Sequence, residues 1–385
     1  MGKSILVTGG AGFIGQHLCR KLLISGHDVR ILDSLQPQIH GSKPKLSDFT
    51  CEGRVEFIQG DVRDRAALER AVTEVDMVVH LAAETGTGQS MYQIAQYFSV
   101  NVQGTALLLD VLQNESCARD IQSIVMASSR AIYGEGAYRC AMHGLVYPEQ
   151  RTVERLSSGR FEPVCPACGD PLELLPTPES APFKPMSIYG LTKQVQEQAI
   201  LMYARNRRIN GFGLRYQNVY GPGQSLKNPY TGILAVFSNL ARQNLPIEIY
   251  EDGQESRDFV YIDDVVEATL RCIDFSGNYI GALNVGSGKA TTVMQVAEKI
   301  RAFFRSDSSI AVSGAYRAGD IRHNIADMSL TNEVLEFVPG EPFEKGLHHF
   351  LRWVCAQNHE DGANYIRSVE ELQAKGLMGN QQVGA

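Results

Sequence analysis

A glycine-rich turn near the N-terminus is the strongest constraint on the fold of this 385-residue chain. Residues 8–15 have the sequence Thr-Gly-Gly-Ala-Gly-Phe-Ile-Gly and lie between an apolar, strand-like run and an amphipathic stretch. Glycines let the backbone turn tightly, and a helix that begins there directs free N–H groups and a positive dipole end at an anion. The sequence predicts a strand–turn–helix unit that binds a dinucleotide pyrophosphate through Gly9, Gly12, Phe13, Ile14 and Gly15.

Two acidic residues follow later strand-like runs. Asp33 ends the second run, and its carboxylate can accept hydrogen bonds from ribose hydroxyls and repel a 2′-phosphate, which favours NAD over NADP. Asp61 follows the third run and is a candidate either for the adenine amino group or for a helix N-cap. Further residues that would lie against the dinucleotide, or would simply pack tightly, are Val62, Leu81, Ala82 and Ala83.

Apolar, β-branched runs alternate with amphipathic stretches through the first half of the chain. Strands are expected at residues 5–8, 29–33, 55–60, 77–81, 124–128 and 211–216, and near 282–285. Helices are expected after Gly12, after Asp64, over 92–114 and over 187–205. This alternation predicts an α/β fold with a Rossmann-type, doubly wound parallel sheet that is covered by helices on both faces.

The alternation is interrupted twice, which suggests a division into parts. We expect a Rossmann domain at 1–135 and 179–220 with returns near 255–288, an insertion at 136–178, a smaller substrate-binding lobe at 221–254 and 289–355, and a flexible tail at 356–385. The tail is expected to fray because its last residues are polar and rich in Gly and Gln.

Composition argues against two classes of partner. The formal net charge is −7, whereas a surface that tracks nucleic-acid phosphates needs clustered excess Lys and Arg. No apolar run reaches the roughly 18 residues of a membrane span. The N-terminus enters a strand-like run directly, without the features of a signal peptide. We therefore expect a cytoplasmic protein that binds neither nucleic acid nor membrane.

The insertion carries a pattern typical of a metal site. Cys140 and His143 form a Cys-x₂-His pair, and Cys165 and Cys168 form a Cys-x₂-Cys pair. Two-residue gaps let both members of a pair face one ion, and a Cys₃His set suits tetrahedral Zn²⁺. Four protein ligands leave no open position, so the zinc would be structural. A Cys165–Cys168 disulfide and free thiols are the alternatives.

A tyrosine and a lysine lie four residues apart in the predicted helix at 187–205. Tyr189 and Lys193 would share one face of that helix. A nearby ammonium and the nicotinium charge of the cofactor would lower the pKa of the phenol and make it a better base. Ser128 and Ser129 end the fifth strand-like run, at the edge where open α/β sheets bind ligands. Ser129 could there hydrogen-bond an oxygen that Tyr189 deprotonates.

Together, the glycine turn, Asp33 and the Ser129, Tyr189 and Lys193 set resemble the extended short-chain dehydrogenase/reductase family from Lys3 to about Phe350. Its members include NAD-dependent nucleotide-sugar epimerases and dehydratases. The resemblance implies a bound, recycled NAD, a nucleotide-diphosphate sugar as substrate, and a homodimer formed through the helices at 92–114 and 187–205.

The resemblance also assigns further site residues. Asn101, on the long helix, and Val219 join Ser128, Tyr189 and Lys193 as cofactor contacts. Arg257 and Arg317 would bind phosphate, which suits the bidentate geometry of guanidinium groups, and Asp320 would bind ribose. The remaining substrate contacts are expected at Glu84, Thr85, Ser129, Arg130, Tyr189 and Asn218.

The residues after the serine pair separate the reactions of this family. In the pattern of the sugar dehydratases, an Asp–Glu pair occupies the two positions after the second serine. This chain has Arg130 and Ala131 there, so the elimination of water would lack its acid and base. The remaining chemistry is 4-epimerisation through a transient 4-keto sugar. Residues 84–92 and the Cys-bearing insertion resemble the branch that converts dTDP-L-rhamnose to dTDP-6-deoxy-L-talose, with UDP-hexose 4-epimerases as the alternative.

Two other classes of protein remain as rivals. One is a net oxidoreductase that acts on a free sugar. The other is a non-catalytic, NAD-binding regulatory protein, which would be expected to have a damaged Ser129, Tyr189 and Lys193 set.

Overall fold

The computed structural model describes residues 2–40, 54–118, 121–226, 232–357 and 363–381. The strands are β1 (Ser4–Thr8), β2 (Asp28–Asp33), β3 (Val55–Gln59), β4 (Met77–His80), β5 (Ser123–Ser129), β6 (Tyr138–Cys140), β7 (Gly144–Val146), β8 (Glu173–Leu174), β9 (Asn210–Tyr216), β10 (Asn218–Tyr220), β11 (Ile247–Ile249), β12 (Ser256–Tyr261), β13 (Ile280–Val285), β14 (Ala290–Thr292), β15 (Ile310–Val312), β16 (Tyr316–Arg317) and β17 (Met378–Gly379).

The α-helices are α1 (Phe13–Ile24), α2 (Pro37–His40), α3 (Arg65–Val72), α4 (Thr87–Ser90), α5 (Ile94–Tyr97), α6 (Gly104–Asn114), α7 (Val153–Ser157), α8 (Ile188–Arg207), α9 (Ile233–Arg242), α10 (Ile262–Ile273), α11 (Val293–Phe304), α12 (Ser329–Leu335), α13 (Phe343–Cys355) and α14 (Ala363–Ala374). A π-helix spans Phe98–Gln103, and short 3₁₀ turns span Ser116–Ala118 and Arg130–Ile132. None of the described helices is long and apolar enough to cross a membrane.

The central sheet has seven strands in the order β13-β9-β5-β4-β1-β2-β3, and all the pairings are parallel. The predicted Rossmann-type sheet is thus confirmed, with strand ends within two residues of those expected. The chain leaves β1 towards β2 and β3 on one side and returns to β4 and β5 on the other. Ligands of open α/β sheets bind where the strand order reverses in this way.

The sheet is buried on both faces because its central strands are apolar throughout. Ile5 and Val7 of β1 belong to one buried cluster, together with residues of α1 and α10. Leu6, between them, belongs to the opposite cluster, together with residues of α3, α6 and α8. Successive side chains of a strand point to opposite faces, so a continuous apolar run serves both layers.

The predicted helix at 92–114 is interrupted. It consists of α5, the six-residue π-helix and α6 in succession. Asn101 lies in the π-helix and is fully buried. Its side chain accepts from the Glu84 backbone N–H at 2.7 Å, and its amide nitrogen donates to the Glu84 carbonyl at 3.1 Å and to Thr192 Oγ1 at 2.9 Å. Asn101 therefore anchors the loop after β4 to α8.

The predicted tail is folded where it is described. It contains the helix α14 and the strand β17, which pairs antiparallel with β16 through Arg317 and Met378. Leu372 is buried, and the Tyr92 hydroxyl donates to Glu371 at 3.0 Å. One apolar side chain and a short strand thus connect this part of the expected tail to the body, while the flexibility of the tail stays a prediction. Residues 358–362 and 382–385 lie outside the described residues.

Two smaller units lie beside the central sheet. In one, β11 pairs with β15 while α9 packs on α11, and these elements fall in the segments predicted to form a substrate-binding lobe. In the other, β6 pairs antiparallel with β7 and β8 inside the predicted insertion. The domain boundaries expected from the sequence remain predictions.

We expect Asn101→Ala to lower the free energy of unfolding by about 1–3 kcal/mol, because it leaves the buried Glu84 backbone N–H without a partner. Urea unfolding followed by circular dichroism measures this change. Gln96→Ala is the matched control, since the Gln96 side chain, among the described residues, bonds only the Glu84 carboxylate, at 3.0 Å. It should change stability by no more than about 0.5 kcal/mol. Equal stabilities of the two variants would contradict this role of Asn101.

Candidate active site

A cavity of about 620 Å³ opens at the carboxyl ends of the parallel strands. Its wall brings together residues that are widely separated in the sequence. Of the residues predicted to bind cofactor or substrate, it contains Gly9, Gly12, Phe13, Ile14, Gly15, Asp33, Asp61, Val62, Leu81, Ala82, Ala83, Glu84, Thr85, Ser128, Ser129, Arg130, Tyr189, Lys193, Asn218, Val219, Arg257, Arg317 and Asp320. Asn101 is not among the residues that line the cavity: it is buried and its side chain accepts from the Glu84 backbone N–H, so its contact with the cofactor stays a prediction.

The glycine turn has the shape that a pyrophosphate requires. Gly9 has a φ of +71°, and a Cβ atom there would lie 2.8 Å from the Ala82 backbone nitrogen. A Cβ atom on Gly15 would lie 2.5 Å from the Gly9 carbonyl oxygen. Helix α1 begins directly after the turn, and its N-cap residue is Gly12, which has no side chain to cap the first N–H groups of the helix. Open backbone N–H groups thus lie on the cavity wall, an arrangement that fits the diphosphate of NAD.

The carboxylate of Asp33 already has backbone partners. It accepts from the Ala11 N–H at 3.0 Å and from the Leu35 N–H at 2.8 Å, so it ties the glycine turn to the end of β2. His40 Nε2 lies 3.5 Å from the same carboxylate. Asp33 lines the cavity, so its free lone pairs remain open to a ribose.

Asp61 is not the cap of α3. Asp64 takes that position and accepts from the backbone N–H groups of Ala66 and Ala67. Asp61 instead pairs with Arg63, whose Nε and Nη2 atoms donate at 2.8 and 2.7 Å, and this hydrogen-bonded pair holds the pKa of Asp61 below its ordinary value. It stays ionised at the cavity wall, where it can accept a hydrogen bond.

Ser129, Tyr189 and Lys193 meet where β5 and α8 approach each other. Ser187 caps α8 by accepting from the Gly190 N–H at 3.1 Å, which places Tyr189 and Lys193 in its first turns. The Ser129 hydroxyl is near enough to the Tyr189 phenol to act on its pKa. The Lys193 ammonium donates to the Ala127 carbonyl at 2.8 Å. The predicted set is therefore assembled in the cavity.

The pKa values of this set depend mainly on burial. Burial lowers the pKa of Lys193 to about 7. Burial raises the pKa of Tyr189, while the Ser129 hydroxyl and the positive charge of Arg130 act in the opposite direction. Burial thus outweighs these groups at Tyr189, and Lys193 is itself only partly charged near neutral pH. The lowering of the phenol pKa by Lys193 together with the cofactor's charge stays a prediction.

Ser128 differs from its neighbour. Its side chain turns to the buried Glu197 carboxylate of α8, which also forms an ion pair with Arg215 of β9 at 2.6 Å. Ser128 contributes to the cavity wall next to Ser129, but its hydroxyl serves the packing of β5, β9 and α8.

A buried polar chain below the cavity is a feature that the sequence analysis missed. The Thr105 hydroxyl donates to the Asn101 carbonyl at 2.6 Å, so it can only accept from His80 Nε2 at 3.0 Å and from Gln196 at 2.7 Å. His80 Nδ1 then accepts from the Thr8 hydroxyl at 2.7 Å. Burial lowers the pKa of His80 to about 3, which keeps the ring neutral. A histidine at the end of an otherwise apolar buried strand was the available signal.

The far end of the cavity is rich in guanidinium groups. Arg130 Nε donates to Asn218 at 3.0 Å, and Arg257 Nη2 donates to Asp320 at 3.1 Å. Burial lowers the pKa of Arg130 to about 10, and nearby Arg257 adds to this effect. Burial raises the pKa of Asp320, but the charges of Arg257, Arg317 and Arg130 outweigh it and keep the carboxyl ionised. This end suits a dianionic diphosphate.

Three further wall residues had no local sequence signal. Tyr250 lies under Arg317, whose guanidinium carbon is 5.0 Å from the ring centre. Glu255 and Leu372 also reach the cavity, from the lobe and from the C-terminal segment.

The four predicted metal ligands form a separate cluster. Their ligand atoms all lie within 4.8 Å of one another. Cys140 Sγ is 3.5 Å from His143 Nδ1 and 3.7 Å from Cys168 Sγ, and Cys165 Sγ is 3.6 Å from His143 Nδ1. All three thiols are free, so the disulfide alternative is not found.

Comparison with known proteins agrees with this geometry. The family model "NAD dependent epimerase/dehydratase family" matches residues 5–151 and 164–286. A dTDP-L-rhamnose 4-epimerase of Burkholderia thailandensis is 37% identical over 92% of this chain and 96% of its own length.

Two solved structures share the fold over nearly their whole length. A Thermotoga maritima UDP-glucose 4-epimerase with UDP-glucose has a TM-score of 0.72 and 27% identity, covering 92% of this chain and 99% of its own. A Thermus thermophilus UDP-glucose 4-epimerase complex with NAD has a TM-score of 0.70 and 26% identity, covering 92% and 100%. The chain therefore belongs to the NAD-dependent epimerase/dehydratase family.

Proposed function

We propose that this protein is an NAD-dependent 4-epimerase of a nucleotide sugar. The observation that carries the proposal is the assembly of Ser129, Tyr189 and Lys193 in one cavity with the glycine turn. Arg130 and Ala131 occupy the positions where a dehydratase would need an acid and a base. The solved epimerases with a similar fold include proteins described with UDP-glucose and with NAD.

Each residue of the set has a distinct task in this reaction. When bound, NAD⁺ would supply the hydride chemistry at C4, and the glycine turn and Lys193 would hold it. As the phenolate, Tyr189 would accept the proton of the C4 hydroxyl and give it back. The Ser129 hydroxyl, the charge of Arg130 and the nicotinium charge of bound NAD⁺ would favour this ionised form against burial. Ser129 hydrogen-bonds the same sugar oxygen and the phenol, and Lys193 holds the nicotinamide ribose.

The arginine-rich end would hold the part of the substrate that does not react. Arg257 and Arg317 would bind the diphosphate, Asp320 the nucleotide ribose, and Asn218 a diphosphate oxygen. The sugar would then lie near Glu84 and Thr85, tethered only through its anomeric phosphate. A sugar held in this way can turn over in the pocket, as inversion at C4 requires.

For the substrate we propose dTDP-L-rhamnose, which would be converted to dTDP-6-deoxy-L-talose. The relative from Burkholderia thailandensis carries that activity in its name and aligns over 92% of this chain. UDP-hexose 4-epimerisation is the second candidate, favoured by the solved epimerase described with UDP-glucose. A non-catalytic NAD-binding protein is less well supported, because all three members of the catalytic set are present and face the cavity.

We further propose a structural Zn²⁺ at Cys140, His143, Cys165 and Cys168. With Zn–S bonds of about 2.3 Å and Zn–N bonds of about 2.0–2.1 Å, tetrahedral geometry requires about 3.8 Å between sulfurs and about 3.6 Å between sulfur and nitrogen. The observed separations of 3.7, 3.5 and 3.6 Å match these values. The reducing cytoplasm, which we propose as the location, would keep the thiols available.

We also propose a homodimer formed through α8 and the continuous segment of α5, the π-helix and α6. These segments pack side by side, and four of their large apolar side chains are exposed, namely those of Ile94, Phe98, Leu191 and Met202. A second copy of the chain would cover this surface in the symmetric manner usual for homodimers.

Incubation with dTDP-L-rhamnose, UDP-galactose and UDP-glucuronate in separate reactions, followed by NMR, should show C4 inversion of the first substrate without accumulation of NADH. Tyr189→Phe should lower this rate by about 10²–10⁴-fold, because it removes the general base. Tyr203→Phe is the control on the same helix, since its hydroxyl bonds the Leu112 carbonyl away from the cavity.

Full epimerase activity of Tyr189→Phe would overturn the mechanism. Steady NADH formation would instead indicate a net oxidoreductase. Inversion of a UDP-sugar alone would keep the mechanism and replace the substrate.

The double variant Ile94→Arg/Met202→Arg should be monomeric in sedimentation velocity, because two charges per chain would be buried at the proposed interface. Ile94 and Met202 are 47% and 60% exposed, so the folded monomer accommodates the change. Ile24→Arg is the control, on α1 and 83% exposed. A monomeric parent protein, or an unchanged dimer in the double variant, would rule out this surface.

A further inference from the structure

A buried ionic network joins the 136–178 insertion to the end of the cavity. The Arg151 guanidinium donates to Glu135 Oε1 at 3.0 Å, to Glu251 Oε2 at 2.8 Å, to the Phe161 carbonyl at 2.9 Å and to the Asp320 carbonyl at 3.0 Å. Arg151 and Glu135 are both buried. One side chain of the insertion thus holds the backbone of a residue on the cavity wall.

Arg322 completes the network from the other side. Its backbone N–H donates to Glu135 Oε2 at 2.7 Å, and its guanidinium donates to Glu162 Oε1 at 2.7 Å and to Glu251 Oε2 at 2.9 Å. Arg322 is 1% exposed, the largest fully buried side chain among the described residues. A buried guanidinium needs such partners, since loss of one leaves a charge without compensation.

The segment 320–322 is therefore held on two sides. From the cavity side, Arg257 donates to the Arg322 carbonyl at 2.9 Å, to the Ile321 carbonyl at 2.9 Å and to Asp320 Oδ1 at 3.1 Å. From the insertion side, Arg151 and Glu135 hold the same backbone. The position of Asp320 and of the Arg257 guanidinium on the wall follows from both sets of contacts.

Two residues of the cysteine–histidine cluster, Cys140 and Cys165, follow closely in sequence after residues that make these contacts. Glu135 comes five residues before Cys140, and Phe161 and Glu162 come just before Cys165. A metal bound by Cys140 and Cys165 would join the two segments into one unit. Between them, β6 pairs with β7 and β8, and an isolated bridge joins Val164 to Pro171.

We propose that the metal-bound insertion fixes the diphosphate end of the substrate cavity, with Arg151 as the positioning residue that transmits its effect. This inference rests on the proposed function for the nature of the ligand and on the proposed zinc site. The metal would take no part in the reaction. It would hold Glu135 and Glu162 in place. These two carboxylates would in turn position Arg151 and Arg322. The segment 320–322 would then keep Asp320 and the Arg257 guanidinium in the positions that the diphosphate end requires.

The test compares the zinc-loaded protein with protein treated with dipicolinate and then freed of the chelator. Metal content, NAD content after denaturation, and calorimetric affinity for dTDP and UDP are measured on both, with KM and kcat for the best sugar nucleotide. We expect about one zinc per chain. Its removal should weaken nucleotide binding and raise KM about tenfold or more, while NAD content and kcat change little. Added Zn²⁺ should restore the affinity.

Variants away from the metal separate this positioning role from simple unfolding. Arg151→Met should retain zinc and NAD and show the same loss of nucleotide affinity, and Arg151→Lys should recover part of it. Arg139→Met is the matched control: Arg139 lies beside Cys140 on β6, is exposed and, within the part of the chain that the structure describes, forms an ion pair only with Glu173, at 3.7 Å. It should leave both the affinity and KM unchanged.

Absence of bound zinc, or unchanged nucleotide affinity in both the zinc-depleted protein and Arg151→Met, would overturn the inference. Because dTDP and UDP binding is measured without turnover, the result is independent of the reaction. Binding that weakens on zinc loss in a protein without epimerase activity would keep this inference while the proposed function failed. Failure to bind either nucleotide would overturn the inference.

Discussion

The close approach of two backbones at Gly9 determines the cavity that this fold can form. Because β1 and β4 are parallel neighbours, the turns that follow them leave the sheet side by side. A Cβ atom on Gly9 would lie 2.8 Å from the Ala82 nitrogen and 2.9 Å from its Cα, so any side chain there would push the turns apart. With glycine at this position, the turn, Ala82 and the start of α1 together form one continuous part of the cavity wall.

Burial then determines the protonation of the groups in and next to this cavity. At neutral pH it favours a protonated Tyr189, a partly neutral Lys193 and a neutral His80. The uncharged forms limit the desolvation cost of burying these three groups. The residues that oppose this trend at Tyr189 are Ser129 and Arg130. Arg130 thus bears on acid–base chemistry, in addition to its proposed contact with substrate.

Features determined by local sequence were predictable, whereas those determined by distant pairs were not. The seven sheet strands follow from continuous apolar runs, and Tyr189 and Lys193 share a helix face by spacing alone. The Cys-x₂-His and Cys-x₂-Cys pairs were likewise visible, although their approach to one another was only inferred.

The features that the sequence did not reveal have a common origin in long-range contacts. Asn101 was predicted to contact the cofactor, and the structure adds its bonds to the Glu84 backbone. The tail was expected to fray, and the structure places Leu372 next to Gly88, far earlier in the chain. Neither contact has a periodicity or a motif in the sequence.

The insertion shows why such contacts matter for its own stability. The apolar clusters near it are small: one contains Leu156, Phe161 and Tyr316, and the other centres on Ile132 and Tyr133. A segment with so little apolar burial needs another source of order, such as a metal or a polar network. The Arg151 and Arg322 contacts are such a network, and the Cys₃His cluster would add the zinc proposed for it. Since Arg151 donates to the carbonyl of Asp320, a residue of the cavity wall, the order of the insertion and the shape of the cavity are physically linked.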